Sequence, residues 1–212
     1  RNFDITMLTT DGATFLTASM GSLSYSFVVI CISMKLNINF FNRNTVLVAQ
    51  ELLGKFLVRK VGKKIVKARI TETEAYCGIK DLACHASRGL TERTKVMFGP
   101  AGFSSVYMIY GMYHCFNIVT EREGNPSAVL IRGVEIVDGL PCGGEAVLRG
   151  PGKLCRKLKI DRKLNAIDLI KSDLLWIEDC ETKVNKSQIK RGKRIGVDYA
   201  GKWKDKLWRF YL

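Results

Sequence analysis

Hydrophobic and polar positions change period several times along this chain, and each change marks an element. Asn44 can cap a short helix over residues 45–53, which Gly54 stops. Phe56-Leu57-Val58 and residues 65–75 then read as the strands of a hairpin around Gly62-Lys63. On an extended strand successive side chains alternate, so Val66, Ala68, Ile70, Glu72 and Glu74 share one side. Residues 78–102 show no clear period, and a loop of that length usually carries function or a partner surface. Residues 105–119 favour strand, interrupted at Tyr110-Gly111-Met112, where Gly111 can take positive φ at a hairpin tip. Ala128-Val129-Leu130-Ile131-Arg132 reads as a strand buried on both faces. Gly150-Pro151-Gly152-Lys153 opens a basic helical run to Leu158, and Trp208-Arg209-Phe210-Tyr211-Leu212 closes the chain as a core strand. With neither internal repeat nor low-complexity linker, the pattern gives one mixed α/β domain.

The first 33 residues are patterned differently. Their charges are Arg1, Asp4 and Asp11, residues 12–34 carry none, and Phe27-Val28-Val29-Ile30-Cys31-Ile32 is strongly apolar. A membrane anchor or signal peptide is one reading, but the many Ser, Thr and Gly residues and the lack of a basic leading region oppose it. The simpler reading takes Met34-Lys35 as the natural start. Residues 1–33 are then an extension from outside the native coding sequence, and residues 34–212 are the functional domain.

Charge narrows the choice of partner. Lys and Arg outnumber Asp and Glu by 34 to 20, a net charge of +14. Such an excess favours nucleic acid, because basic side chains release counterions from a phosphate backbone. Seven cysteines (31, 77, 84, 115, 142, 155 and 180) cannot all pair, no Cys-x-x-Cys occurs, and His85 and His114 are the only histidines. Neither a disulfide framework nor a zinc site is supported, and reduced thiols in an intracellular protein are expected.

Glu74 is the leading candidate for chemistry. A carboxylate is expensive to bury without a partner, so two of them ending an apolar strand face point to a site. Hydrolysis of an N-glycosidic bond needs such a group to orient and deprotonate water. The competing reading is a structural ion pair, for example with Arg132, and Glu72 on the same face is the other candidate for that pairing. Tyr76, Tyr107, Tyr110, Tyr113 and His85 supply flat rings. An enzyme acting on a base within a duplex must extrude that base and hold it between aromatic or apolar walls. Alternate aromatics also build ordinary cores, but Tyr110 falls at a turn, where side chains face solvent. Gly150-Pro151-Gly152-Lys153 is a weak candidate anion site. The run from Lys183 to Arg194 is a basic, solvated face that adds attraction for phosphate.

Taken together, these segments resemble the alkyladenine (3-methyladenine) DNA glycosylase family, the human-type monofunctional class with bacterial members. The matching stretches are Arg69-Ile-Thr-Glu-Thr-Glu-Ala-Tyr76, His85-Ala-Ser-Arg-Gly89, Met97-Phe-Gly-Pro100, Val106-Tyr-Met-Ile-Tyr-Gly-Met-Tyr113, Cys115-Phe-Asn117, Val129-Leu-Ile-Arg132, Gly150-Pro-Gly-Lys-Leu-Cys155, Arg194-Ile-Gly-Val197 and Arg209-Phe-Tyr-Leu212. They occur in family order from about Phe40 to the end, and residues 1–33 have no counterpart. Phe103-Ser104-Ser105 departs from the bulkier, often tyrosine-bearing run usual before this Val-Tyr.

The resemblance implies an α+β fold: a single compact domain with a curved, mainly antiparallel sheet flanked by helices and a protruding hairpin. It implies that Glu74 activates the water and that Arg132 stands near that water and the flipped nucleotide's phosphate. Tyr76, His85 and Tyr107 would stack on the extrahelical base. Asn117 would crowd the 2-amino group of guanine, and Tyr110 would enter the minor groove. Thr91, Arg93, Met112 and Lys153 would meet the DNA backbone. The implied protein is a monomer that excises alkylated or deaminated purines from double-stranded DNA, with no metal, no cofactor and no membrane. It would work in the cytoplasm or nucleoid of a bacterium, or the nucleus of a eukaryote. Two alternatives remain: a glycosylase/lyase using Lys153, and a catalytically silent nucleic-acid-binding module on the same fold.

Overall fold

The computed structural model of the chain describes residues 34–139, 145–179 and 184–212, and the backbone of residues 4–10, 13–20 and 23–29. Cys31, Cys142, Cys180 and Lys183 lie outside the described residues. The chain divides into two units, Arg1–Met34 and Lys35–Leu212. In the first, β1 (Asp4–Thr10), β2 (Ala13–Met20) and β3 (Leu23–Val29) form an antiparallel meander. No described helix is long and apolar enough to cross a membrane.

The second unit starts with two short helices, α1 (Ile38–Phe41) and α2 (Thr45–Glu51). Asn44 caps α2 as its sequence requires, its side chain accepting from the backbone N–H groups of Val46 and Leu47. The chain leaves the helix through Gly54 at φ +84°. Ten strands and helices follow: β4 (Phe56–Val61), β5 (Lys64–Cys77), β6 (Ser104–Ile109), β7 (Tyr113–Thr120), β8 (Ser127–Asp138), β9 (Val147–Arg149), α3 (Pro151–Lys157), β10 (Leu175–Glu178), β11 (Lys190–Gly192) and β12 (Arg209–Tyr211). The architecture is mixed α+β, built on a mainly antiparallel, open nine-stranded sheet.

The sheet runs β10-β4-β5-β8-β7-β6, and β5 is its spine. The residues of β5 up to Arg69 pair with β4, whereas Glu72, Thr73 and Glu74 pair with β12. Its neighbour β8 changes partner at the same level, from β7 to β9. Register shifts fall between Ile70 and Glu72 and between Glu72 and Thr73. Bulges of this kind re-aim side chains. The alternation expected over residues 66–74 is therefore interrupted. Ala68 and Ile70 belong to the main core with Ala75, Ile131 and Val134, whereas Glu72 and Glu74 meet Arg132. Gly133 sits opposite Glu72 because a Cβ there would come within 3.0 Å of the Glu72 Cβ.

One face of the sheet packs against α2 and α3 through Phe116, Ile118, Val129, Ile131, Leu52 and Leu154, all fully buried. Thr73 ties this face to α2 by donating to the Ala49 carbonyl at 2.7 Å. The closing strand expected over residues 208–212 is three residues long, and Phe210 alone is its core residue. In the basic run, Lys186, Lys190, Arg191 and Lys193 are exposed as expected. Arg194 differs and turns inward, 4 % exposed.

Candidate active site

Pairing across an antiparallel sheet puts partners on the same face. Arg209, Glu74, Leu130, Asn117 and Ser105 are paired in succession across β12, β5, β8, β7 and β6, so they form one row. This row lies on the face away from α2. At the strand spacing of about 4.8 Å, Glu74 and Asn117 are roughly 10 Å apart along it. Tyr76 lies two residues beyond the row on one side. Tyr107, paired with Cys115, lies two residues beyond it on the other. A polar floor with a ring at either edge results.

Glu74 is fully buried. Its Oε2 accepts from the Tyr76 hydroxyl at 2.8 Å, and its Oε1 accepts from the Ile195 backbone N–H at 2.8 Å. Arg132 Nε stands 3.4 Å from the same Oε1. Burial pushes the Glu74 carboxyl above the usual range. Arg132, the Ile195 N–H and the Tyr76 hydroxyl pull it back, while Glu72 adds to the rise. The result is an oriented carboxylate with enhanced basicity, suited to taking a proton. Glu72 is less buried; its Oε1 accepts from Arg132 Nε at 3.2 Å and from Arg209 Nη1 at 3.1 Å. The ion pair with Arg132 read from the sequence is therefore present, and it takes in both Glu72 and Glu74.

Tyr76 is held from behind. The Arg194 guanidinium lies 4.8 Å from its ring centroid and 5.1 Å from that of Trp208. Arg194 makes a two-pronged ion pair with Asp81, at 2.5 and 2.9 Å, and also donates to the Ala75 and Trp203 carbonyls. Both charged side chains are fully buried. Burial, with the Glu74 charge adding to it, raises the Tyr76 hydroxyl well above its normal range, so it stays a donor. The sequence reading missed this support and the Ile195 N–H. Arg194-Ile-Gly-Val197 is one of the stretches that carry the resemblance, but Arg194 and Ile195 reach β5 only through tertiary contacts, so the sequence assigns them no role.

On the other edge, the His85 and Tyr107 rings pack at 4.8 Å between centroids, tilted by 59°. Arg93 covers the Tyr107 ring at 4.6 Å, and its Nη2 lies 3.2 Å from His85 Nε2. Burial and the charges of Arg93 and Arg88 lower the His85 pKa to about 4, so its imidazole is neutral at physiological pH. Asn117 is fixed by donating through Nδ2 to the Ser105 carbonyl at 3.1 Å. The unusual Phe103-Ser104-Ser105 run therefore has structural work. Ser104 Oγ donates to the Leu164 carbonyl and accepts from the Ile167 N–H, and Ser105 anchors Asn117.

The remaining candidates are peripheral. Tyr110, at φ 52°, is 84 % exposed, and Gly111 at φ 69° completes the turn closed by Met112 N–H to the Ile109 carbonyl. Met112 projects from the same tip. Lys153 is exposed in the first turn of α3, beside Gly152, where a Cβ would press on the Tyr113 ring at 3.0 Å. Thr91 lies in an exposed turn closed with Thr94. A separate concavity of about 490 Å3, lined by Glu72, Glu135, Arg149, Lys190, Arg209 and Tyr211 among others, opens beside Glu72.

Among the described residues, no three His, Cys, Asp or Glu side chains cluster to hold a metal. Cys77, Cys84, Cys115 and Cys155 are free thiols, and burial pushes those of Cys77 and Cys84 up to about 12 and that of Cys115 to about 11. None of these is a ready thiolate nucleophile.

Comparison with known proteins gives the family. The protein is a DNA repair glycosylase, an enzyme that hydrolyses N-glycosidic bonds in DNA. Residues 39–212 match the methylpurine-DNA glycosylase (MPG) family, and the chain belongs to that family. A protein of Legionella pneumophila strain Paris is 50 % identical over 173 residues, covering 82 % of this chain and 91 % of its own. A Myxococcus xanthus protein is 49 % identical over 174 residues, covering 82 % and 88 %. One from Methanocella arvoryzae is 46 % identical over 182 residues, covering 82 % and 90 %. All three are named for 3-methyladenine DNA glycosylase activity.

Proposed function

We propose that the protein flips alkylated or deaminated purines out of duplex DNA and releases them by attack of a water activated by Glu74, leaving an abasic site. The observation that carries this reading is the environment of Glu74: fully buried, hydrogen-bonded on both oxygens and made more basic by its surroundings. A base lodged over the floor would stack between Tyr76 and the His85–Tyr107 pair. Neutral His85 leaves that space open to a cationic alkylated purine as well as to a neutral deaminated one. Asn117, fixed on Ser105, crowds the purine edge and discriminates against guanine. Arg132 stabilises the developing negative charge of the water and meets the flipped nucleotide's phosphate.

Tyr110 fills the gap in the duplex. A ring on an exposed hairpin tip can offset part of the unstacking cost, which is on the order of a few kcal/mol. Thr91, Arg93, Met112 and Lys153 hold the backbone around the lesion. The protein acts as a monomer without a metal, and Lys153 is not a nucleophile. Residues 34–212 constitute the acting domain, which works inside the cell, and residues 1–33 take no part.

The test uses duplexes that each carry one hypoxanthine, 3-methyladenine or 7-methylguanine, with alkaline cleavage of the abasic product. Glu74→Gln is expected to abolish excision and retain binding to the lesion duplex. Excision at the wild-type rate would refute the proposal. A borohydride-trapped protein–DNA adduct would instead establish amine chemistry.

A further inference from the structure

Arg132 has a single Nε–H, and two carboxylate oxygens compete for it. Glu72 Oε1 lies at 3.2 Å and Glu74 Oε1 at 3.4 Å. Glu72 does not drift in this competition. Arg209 Nη1 holds the same Oε1 at 3.1 Å, and Arg209 is fixed in turn by donating through Nε to the Lys193 carbonyl at 2.8 Å. Behind Glu72, Gly133 lets the two backbones approach closely. Solvent reaches Glu72 through the 490 Å3 concavity, whereas Glu74 is sealed.

We propose that Glu72 is a positioning residue, which divides the Arg132 guanidinium between two carboxylates and so limits how strongly Arg132 acts on Glu74. The proposal rests on the reading of Glu74 as the base. A base needs an undiminished affinity for protons, and a full contact with Arg132 would remove it. Glu72, held in place by the Arg209 guanidinium, prevents that by accepting the Arg132 Nε–H. Among the described residues, the groups facing Glu74 are Tyr76 and Glu72 from its own strand, Arg132 from β8, Arg209 opposite it on β12, and the Ile195 N–H. Cys115 on β7 is near enough to sense both Arg132 and Glu74, but its thiol stays protonated to about pH 11.

Two substitutions should move Glu74 in opposite directions. Glu72→Gln keeps an acceptor for Arg132 but removes the charge, so the acid limb of the single-turnover pH–rate profile shifts to lower pH. On that limb the rate rises about threefold to tenfold over wild type, as a shift of half to one pKa unit requires. Arg209→Gln leaves Glu72 more dependent on Arg132, and the limb shifts to higher pH. Carbon-13 NMR titration of the glutamate carboxyls in the full chain reads the Glu74 pKa without substrate and should show both shifts. In an Arg132→Gln background the Glu72→Gln shift should fall to less than half. An undiminished shift there would make Glu72 a mere neighbouring charge and overturn the proposal. So would shifts of the same sign, or none, in the two single variants. Should Glu72→Gln fail to fold, Arg209→Gln and Glu72→Asp carry the test, the latter restoring the wild-type limb. If Glu74→Gln proves fully active, the base assignment falls, while the NMR titrations still decide whether Glu72 governs the Arg132–Glu74 contact.

Discussion

The Tyr76 hydroxyl donates to Glu74 Oε2 at 2.8 Å from two residues along the same strand, so the ring proposed as a pocket wall is also the carboxylate's partner. Tyr76→Phe separates these roles. The ring and its Arg194 backing remain, while a hydrogen bond to a charged group, worth about 1.5–3 kcal/mol, is lost. Excision at neutral pH should fall roughly tenfold or more, and the acid limb should move to higher pH because the charged form of Glu74 loses a donor. Single-turnover rates across pH 5–9 check both. A change in lesion affinity alone would mean that only the ring matters.

Tyr110 sets stability against function. A non-glycine residue at φ 52° is strained, and Gly relieves the strain. Tyr110→Gly is expected to raise folding stability by up to about 1 kcal/mol while weakening binding to a lesion duplex at least several-fold. Thermal denaturation and a fluorescence-anisotropy titration on one preparation give the two signs. Unchanged affinity would remove Tyr110 from the duplex.

Breaking the buried pair beneath Tyr76 should be among the most damaging changes. Asp81→Ala leaves Arg194 buried and uncompensated, and strips acceptors from the Cys77 and Ala83 N–H groups. The expected loss is about 3–5 kcal/mol by urea denaturation. A loss below 1 kcal/mol would show that the segment relaxes and lets solvent in.

His85 makes stability depend on acid. Its folded pKa, about 4, lies below the ordinary value of 6.5, so between those pH values the unfolded chain binds a proton that the folded chain refuses. Its contribution is fully present above pH 6.5 and is lost as pH falls towards 4. The raised carboxyl of Glu74 acts with the opposite sign, so the informative quantity is a difference. His85→Gln should lose less stability than wild type between pH 7 and pH 4.5. Parallel curves would mean that His85 titrates normally.

Much of this arrangement is legible in the sequence wherever the cause is local. Asn44 announces its cap, Gly62 its hairpin and Tyr110-Gly111 its tip, because each acts over a few residues. The motif order identifies the family. The face of Glu74 follows from a bulge near Thr71 that periodicity does not reveal, since Ile70 looks like one more member of the same stripe. Arg194 reads as the end of a solvated basic run and, with Ile195, as part of a family-matching stretch without a role, because their partners on β5 lie more than a hundred residues away. Their roles exist only once the chain has closed.

The bulge also restricts how the gene can change. A residue gained or lost at the Gly62-Lys63 turn alters only the reach of a loop. One gained or lost between Ile70 and Glu74 would turn the Glu74 carboxylate into the hydrocarbon interior and bring an apolar neighbour into its place. Related sequences should therefore vary in length at the first position and hold strictly to one spacing at the second.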